Sequence, residues 1–191
     1  LGCQGNPEIP TPHIDSIAEN GIRFTHAYVT APNCSPSRAG MLTGKIPTLV
    51  HECGFDEYLM WAYTHNLPEG VKHEGGYEGG TKTSRYWHPS LVTNGEYLPT
   101  KPDDYGPDIF SEFLIDFARR HKDRPFFLYY PMALTHAPYY STPTTDPNET
   151  EKFKHSADKF KENVEYTDKL VGRIVEALDE MGLRENTIVF F

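Results

Sequence analysis

The chain has 191 residues, and its 18 Lys and Arg against 27 Asp and Glu give a formal net charge of −9. Hydrophobic residues at 38% and charged residues at 24% are typical of a globular protein with a real core, which excludes a disordered chain. The acidic balance argues against a general nucleic-acid binder. The longest apolar stretch is nine residues broken by Pro131, too short to span a membrane.

The first part of the chain predicts a helix, a strand and a second helix. Residues 11–21 predict a short helix, which Thr11 caps and Gly21 ends. Residues 22–30 are rich in β-branched and aromatic side chains, so they predict a strand. A Pro-Asn break then leads to residues 34–42, which predict a helix start with a proline tolerated in its first turn.

Residues 44–107 form an irregular stretch, in which glycines, aromatics and histidines follow no sustained period. Loops of this length are usually functional or disordered. Within the stretch, residues 86–89 and 94–97 predict a short hairpin. Its turn is Asn94-Gly95, because that pair adopts the positive φ angles that a tight hairpin turn requires.

Regular patterning returns at Asp108 with a predicted helix. The residues on its apolar face are Ile109, Phe110, Phe113, Leu114 and Phe117, and basic residues at 119–122 complement its C-terminus. Residues 126–130 form a continuous apolar run of the kind found in parallel sheets, and a loop rich in Pro, Thr and Asp follows over residues 138–148.

A long helix is predicted over residues 155–181, with Gly182 after its end. The expected buried stripe of this helix is Phe160, Val164, Leu170, Ile174, Val175 and Leu178. Residues 187–191 then predict another buried strand. Helix–strand–helix–strand indicates an α/β sheet covered by helices. Because the chain stops inside a core strand without a turn, we expect an incomplete domain. It begins on Leu1 without a signal-like segment, so we expect that any targeting sequence has been removed or was never included.

Cys34 is the sharpest chemical candidate, since it stands at a predicted strand-to-helix junction. A helix N-terminus lowers the pKa of a thiol and suits it for reaction. Arg38, one turn later, would offer a planar cationic fork to a sulfate or phosphate oxyanion. The alternative is an inert packing cysteine beside a structural arginine. The three cysteines, Cys3, Cys34 and Cys53, cannot all pair within the chain and do not define a redox compartment.

Residues 34–44, which read CSPSRAGMLTG, resemble the signature of the type I sulfatases. Residues 5–18 are similar to the segment that precedes the nucleophile in that family. Residues 135–138 resemble its histidine loop, and residues 54–58 resemble another recurring phrase. The resemblance covers most of the chain, and it implies an alkaline-phosphatase-like fold: a mixed, mostly parallel sheet flanked by helices, incomplete in this chain.

The resemblance implies hydrolysis of sulfate monoesters, plausibly on a carbohydrate. Cys34 would be oxidised after translation to formylglycine, whose hydrate attacks the sulfate ester. In that form Cys34 would also be a ligand of a divalent cation, usually calcium. Arg38 would stabilise the hydrated aldehyde, and His136 would contact the sulfate or the bridging oxygen. A formylglycine-generating enzyme would be a maturation partner, and export to a periplasmic, extracellular or lysosomal space is implied by analogy.

Several parts of the family pattern are expected to be missing. The family places an aspartate pair before the point where this chain begins and an Asp-Asn metal pair after residue 191. Its Lys-x-His segment should lie between the nucleophile helix and residues 54–58. Only about ten residues separate Thr43 from Gly54, too few for the βα units expected there. We therefore expect residues 1–191 to be a partial catalytic domain that lacks a segment near residues 47–53.

Other polar groups have ordinary explanations. Asp103-Asp104 could be mistaken for a metal-binding pair, but a solvated turn before the Asp108 helix is the preferred interpretation. His65, His73 and His88 match no compact zinc spacing; they could line a substrate cleft, and most are expected to be surface histidines.

Three alternatives to a sulfatase stay open. A phosphodiesterase or phosphonate hydrolase could use the same formylglycine and metal, because Arg38 would serve a phosphoryl group equally well. A thiol phosphatase using unmodified Cys34 is disfavoured, since Pro36 interrupts the backbone donors that an anion cradle needs. The third is a non-catalytic relative that acts as a binding or structural protein.

Overall fold

The computed structural model describes residues 1–23, 55–62, 69–70, 86–145 and 154–191. In these ranges the helices are α1 (Pro12–Glu19), α2 (Gly106–Arg120) and α3 (Phe160–Glu180). The strands are β1 (Leu59–Trp61), β2 (Leu91–Thr93) and β3 (Glu96–Leu98), and short 3-10 turns cover Gly2–Gln4, Ala157–Lys159 and Arg184–Asn186. Within the same ranges, no helix has the length and apolarity needed to cross a membrane.

Helix α1 forms where the sequence predicts it, but its cap is not the predicted one. The Thr11 hydroxyl does not cap the helix: it accepts a hydrogen bond from the Gly2 amide (2.9 Å) and donates one to Asp15 (3.1 Å). The carboxylate of Asp168 on α3 instead accepts from the amides of His13 (3.2 Å) and Ile14 (2.8 Å). A negative charge there satisfies two helix-end donors and opposes the positive end of the helix dipole.

Helices α1 and α3 approach closely at Gly172. A Cβ atom built there would lie 2.5 Å from Nδ1 of His13, which no real Cβ contact allows. Glycine in mid-helix is normally unfavourable by roughly 1 kcal/mol relative to alanine, so a packing reason is expected where it occurs. The His13 ring occupies the space that a larger residue would need.

Helix α2 confirms the predicted helix but buries a different face. Ser111, Ile115 and Ala118 are buried, whereas the predicted apolar face from Ile109 to Phe117 is only half-buried. Aromatic contacts explain the difference. Phe110 meets the Trp61 ring edge-on at 5.5 Å, so this face packs on small neighbouring elements that cover it only in part.

The predicted hairpin turn at Asn94-Gly95 is confirmed. Both residues have positive φ angles, 50° and 87°, which is the geometry of the tight turn that matches strand twist. Strands β2 and β3 pair antiparallel on either side of it, and β1 adds to the free edge of β2 with Met60 opposite Val92. The sequence did not predict β1, because three residues are too few to show an alternating pattern.

The two apolar runs predicted as parallel strands, residues 126–130 and 187–191, do not form strands in the described part of the chain. Phe127, Ile188 and Phe190 are 66%, 96% and 77% exposed rather than buried. A parallel strand exists only through hydrogen bonds to neighbouring strands, and the described residues offer these runs no such neighbour.

Helix α3 confirms the predicted long helix, and Gly182 after it has the left-handed φ of 68° that a helix end favours. Leu170, at 0% exposure, is central to its buried side. Phe160 was expected in that stripe and is instead 39% exposed, since it lies in the first turn and packs against the Tyr139 ring at 5.2 Å.

Glu57 links the segment before β1 to the C-terminal end of α2. Its two carboxylate oxygens accept from the Arg120 guanidinium at 2.8 and 2.7 Å, and His121 lies 3.1 Å away. The hydrogen bonds from Arg120, followed by those from His121, lower the pKa of Glu57 from 4.5 to about 2 against the opposing effect of burial. The paired carboxylate is a charge-assisted, bidentate contact.

Glu57→Gln is expected to make stability less dependent on acid pH. The folded-state pKa of Glu57 is depressed, so its contribution is present above pH 4.5 and is lost as the pH falls toward about 2. The difference in free energy of unfolding between wild type and variant should therefore shrink over that range in urea titrations. Glu176→Gln, at an exposed position of α3, is the control. A difference that stays constant with pH would contradict the assignment.

Candidate functional site

Of the three predicted catalytic residues, only His136 lies among the described residues. Cys34 and Arg38 lie outside them, as do His65 and His73.

His136 lies in a tight turn that follows the apolar run of residues 126–134. Its amide donates to the carbonyl oxygen of Ala133 at 2.8 Å, which closes the turn. The residue is exposed, and Nδ1 of its ring lies 2.5 Å from the carbonyl oxygen of Ala137. A carbonyl oxygen only accepts, so Nδ1 is the donor in this contact, which leaves Nε2 as the ring nitrogen that the contact does not use. Among the described residues none hydrogen-bonds to Nε2.

The hydroxyl of Tyr86 contacts both ends of this turn. It lies 2.8 Å from the carbonyl oxygen of Ala133 and 2.8 Å from that of His136. Tyr86 is only 1% exposed, and its own carbonyl accepts from the Gly106 amide at the start of α2 (2.6 Å). Tyr86 therefore connects two parts of the chain: its hydroxyl contacts the His136 turn, and its carbonyl oxygen binds the start of α2.

The segment after the turn is fastened to the same elements. The Trp87 indole donates to the carbonyl oxygen of Ser141 at 2.8 Å, and the Asn163 amide donates to that of Tyr140 at 2.9 Å. The carboxylate of Glu162 accepts from the Thr142 amide (2.7 Å) and hydroxyl (2.5 Å). Backbone groups of an irregular loop need such partners when they are buried. The loop that carries His136 is therefore fixed to α3 and to the residues before β2.

An aromatic core lies beneath the loop. The ring centroids of Trp87 and Tyr105 are 4.7 Å apart, and those of Tyr105 and Tyr166 are 5.4 Å apart in an edge-to-face arrangement. Burial raises the pKa of Tyr105 far above its ordinary value, so its phenol stays neutral. Edge-to-face aromatic packing fixes ring positions as well as burying area. The support of the His136 loop is thus a rigid one.

Ionic contacts tie α2 to α3 near this core. The Tyr166 hydroxyl donates to both oxygens of Asp108, at 2.8 and 2.9 Å, and Arg173 lies 3.1 Å from the same carboxylate. Burial, followed by the Asp108 hydrogen bond and charge, raises the pKa of Tyr166. A groove of about 570 Å³ opens beside these residues, and His136 is not among its lining residues.

The interpretation of Asp103-Asp104 as a turn is confirmed. The Asp104 carboxylate accepts from the Lys101 amide at 2.7 Å, and its carbonyl accepts from the His88 amide at 2.8 Å. Within the described ranges, no three His, Cys, Asp or Glu side chains are grouped so that they could hold a metal ion. His88 is half-buried and adopts a positive φ of 46°, and its backbone amide is bonded to Asp104.

Tyr86 and Trp87 are the site-supporting residues that the sequence analysis missed. Residues 86–89 were assigned to a hairpin arm, whereas the two aromatic side chains reach the loop around His136. The signal in the sequence is the residue type, because a buried Tyr or Trp usually finds a hydrogen-bond partner for its hydroxyl or indole N–H.

The matching family model and the similar curated proteins are all described as sulfatases. The family model described as Sulfatase matches residues 1–191. Arylsulfatase A of Homo sapiens is 26% identical, with 100% of this chain and 48% of that protein covered. N-acetylgalactosamine-6-sulfatase of Canis lupus familiaris and the ulvan-active sulfatase of Formosa agariphila are each 27% identical over 100% of this chain and 46% of theirs. The chain thus spans about half the length of these curated relatives.

A solved structure, that of Ps i-CgsB, has the same fold. It aligns with a TM-score of 0.68 and 23% identity, covering 97% of this chain and 53% of that one. The same protein was also solved in complex with k-i-k-neocarrahexaose, again with a TM-score of 0.68. The likeness confirms the expected alkaline-phosphatase-like α/β fold, of which the described residues show helices and an antiparallel sheet.

Proposed function

Because the chain belongs to the sulfatase family, whose model matches residues 1–191, we propose that the protein hydrolyses sulfate monoesters. One observation carries the proposal: the whole chain lies within the family match, and that match includes the string from Cys34 to Arg38. In the proposed reaction, Cys34 is the formylglycine precursor, Arg38 stabilises its hydrate, and His136 contacts the sulfate or the bridging oxygen.

The proposed substrate is a sulfated carbohydrate. Two relatives are named for acting on sugars or polysaccharides, N-acetylgalactosamine-6-sulfatase and the ulvan-active sulfatase. The structural neighbour was solved with k-i-k-neocarrahexaose. These names support a glycan for this protein too, and with it export to the compartment where such glycans occur.

The contacts of His136 support a chemical role for its ring in this proposal. With Nδ1–H donated to the Ala137 carbonyl, the neutral ring offers a lone pair at Nε2, and the protonated ring offers an N–H⁺ donor there. A donor aimed at the bridging oxygen stabilises the negative charge that grows there as the ester bond breaks and the alcohol leaves. The exposed position of the ring leaves Nε2 accessible to a substrate.

Formylglycine, once formed at Cys34 by a formylglycine-generating enzyme, supplies a hydrate oxygen as nucleophile and releases sulfate by returning to the aldehyde. A divalent cation, calcium by resemblance, belongs to the same proposal. In the described ranges no three His, Cys, Asp or Glu side chains are grouped to hold such an ion, and the predicted ligand at Cys34 lies outside them. The alignment with arylsulfatase A extends over 252 positions against 191 residues here, which supports a shorter chain than the family pattern; that the difference lies near residues 47–53 stays a prediction.

The proposal is tested by assaying the complete protein, produced together with a formylglycine-generating enzyme. Sulfated oligosaccharides and 4-nitrophenyl sulfate are offered beside bis(4-nitrophenyl) phosphate, and released inorganic sulfate is measured. We expect sulfate release. Preference for the phosphodiester would instead favour the related phosphodiesterase, and turnover of neither would favour a non-catalytic binding protein.

His136→Ala is expected to lower kcat on a sulfate ester about 100-fold, the usual order for loss of one charge-stabilising donor. The measurement is steady-state kinetics of sulfate release. His155→Ala is the matched control, since the Nδ1 atom of His155 accepts from the Tyr139 amide in the same loop at 2.8 Å. An equal loss in both variants would assign the effect to the loop and contradict a role for the His136 ring.

A further inference from the structure

We propose that Tyr86 is a positioning residue for His136: its buried hydroxyl sets the turn that presents the imidazole to substrate. This inference rests on the proposed function, because it concerns the histidine of that site. It assigns a role to a residue that lies 50 positions away from His136 along the chain.

The geometry of the turn depends on Tyr86 at two points. Its hydroxyl is 2.8 Å from the carbonyl oxygens of both Ala133 and His136, the two ends of the turn. The His136 amide donates to the same Ala133 oxygen, also at 2.8 Å. One hydroxyl proton shared between two carbonyls holds them at a fixed separation, as a three-centre hydrogen bond does.

Tyr86 itself has little freedom to move. Its side chain is 1% exposed, and its ring packs against Tyr105 and Tyr140, each with centroids 6.3 Å apart. Its carbonyl accepts from the Gly106 amide at 2.6 Å. A residue held by its ring and its backbone can position a partner, whereas the side chain of the exposed His136 has only its contact with the Ala137 carbonyl oxygen.

The conformation of this turn determines the orientation of the His136 ring. Nδ1 is bonded to the carbonyl oxygen of Ala137, the next residue, so the ring orientation follows the local backbone. Loss of the Tyr86 hydroxyl would let both carbonyls relax, and the ring would move with them. Misplacement of a catalytic group by about 1 Å can cost a large factor in rate.

The first experiment compares Tyr86→Phe with Tyr166→Phe in the complete protein. Both tyrosines belong to one buried aromatic cluster, but the Tyr166 hydroxyl donates to Asp108 and not to the turn. We expect Tyr86→Phe to lower kcat/KM for 4-nitrophenyl sulfate about 10-fold, and Tyr166→Phe to change it less than about 3-fold despite an equal or larger loss of Tm. Equal losses of activity in the two variants would overturn the proposal.

A double-mutant cycle separates positioning from general stability. If Tyr86 acts through His136, then Tyr86→Phe should change activity less than about 2-fold in the His136→Ala background. An undiminished 10-fold loss in that background would show that the two residues act independently, and it would overturn the proposal.

A spectroscopic measurement decides the question without any turnover. In the complete protein carrying ¹³Cε1-labelled histidine, the resonance of His136 is assigned by its loss in His136→Ala. We expect Tyr86→Phe to shift this resonance and Tyr166→Phe to leave it in place. An unshifted resonance in Tyr86→Phe would overturn the inference. A wild-type protein without sulfatase activity would instead contradict the proposed function alone.

Discussion

Cys34→Ala is expected to abolish sulfate ester hydrolysis, with kcat/KM falling by about 10⁴-fold or more. Alanine cannot be converted to formylglycine, so the covalent route to sulfate release is lost entirely, and removal of a covalent nucleophile is among the largest single effects known in enzymes. The measurement is sulfate release from a sulfated oligosaccharide by the complete protein. Thermal unfolding should show that the variant is still folded.

Cys3→Ala is the matched control, since Cys3 is a free, half-buried thiol near the start of α1. We expect its activity to stay within about 2-fold of wild type, because the proposed reaction assigns no role to Cys3. The peptide containing Cys34 should also be about 18 Da lighter after conversion of thiol to aldehyde. An unmodified thiol, under conditions where a control sulfatase is converted, would contradict the formylglycine mechanism and favour the non-catalytic alternative.

Asp168→Ala is expected to lower the free energy of unfolding by about 2–4 kcal/mol, the range for losing a charged helix cap whose donors remain buried. Asp168 is 3% exposed, and its two oxygens accept from the amides of His13 and Ile14. Without them, two amides at the start of α1 lose their partners, one of them on Ile14, which is 4% exposed. Urea denaturation followed by circular dichroism measures the loss.

Two further variants are compared with Asp168→Ala in the same measurement of the free energy of unfolding. Asp168→Asn keeps one acceptor oxygen and should cost less, about 1–2 kcal/mol. Asp179→Ala, at an exposed position near the end of the same helix, should change stability by less than about 0.5 kcal/mol. A loss for Asp168→Ala no larger than that for Asp179→Ala would show that the carboxylate does not cap α1.

The helices were predictable because each is specified locally. The apolar period, the basic end of α2 and Gly182 after α3 lie within one helix length of the structure that they determine. The hairpin turn was predictable for the same reason, since Asn94-Gly95 sets its own φ angles. The cap of α1 was not predictable. Thr11 is the right residue type in the right place, but the carboxylate of Asp168, 155 residues after His13, takes the role.

The residues of the candidate site also divide into those that the local sequence predicts and those that it does not. Cys34, Arg38 and His136 could be proposed from short strings, since each belongs to a run of residues that is recognisable in itself. Tyr86 could not, because its function depends on two carbonyl groups about fifty residues away. Backbone acceptors leave no mark in a sequence, so only the folded chain reveals which side chain binds them.

The joining of α1 to α3 has a consequence for how the protein is made. The carboxylate that caps α1 and the glycine against which His13 packs both belong to α3, so α1 leaves the ribosome long before its partner exists. Until then its first amides are bonded to water and Ile14 is exposed. Contacts between distant parts of a chain form slowly and leave apolar surface uncovered meanwhile. Although α1 is synthesised before α3, it is therefore expected to reach its final place only after α3 has formed.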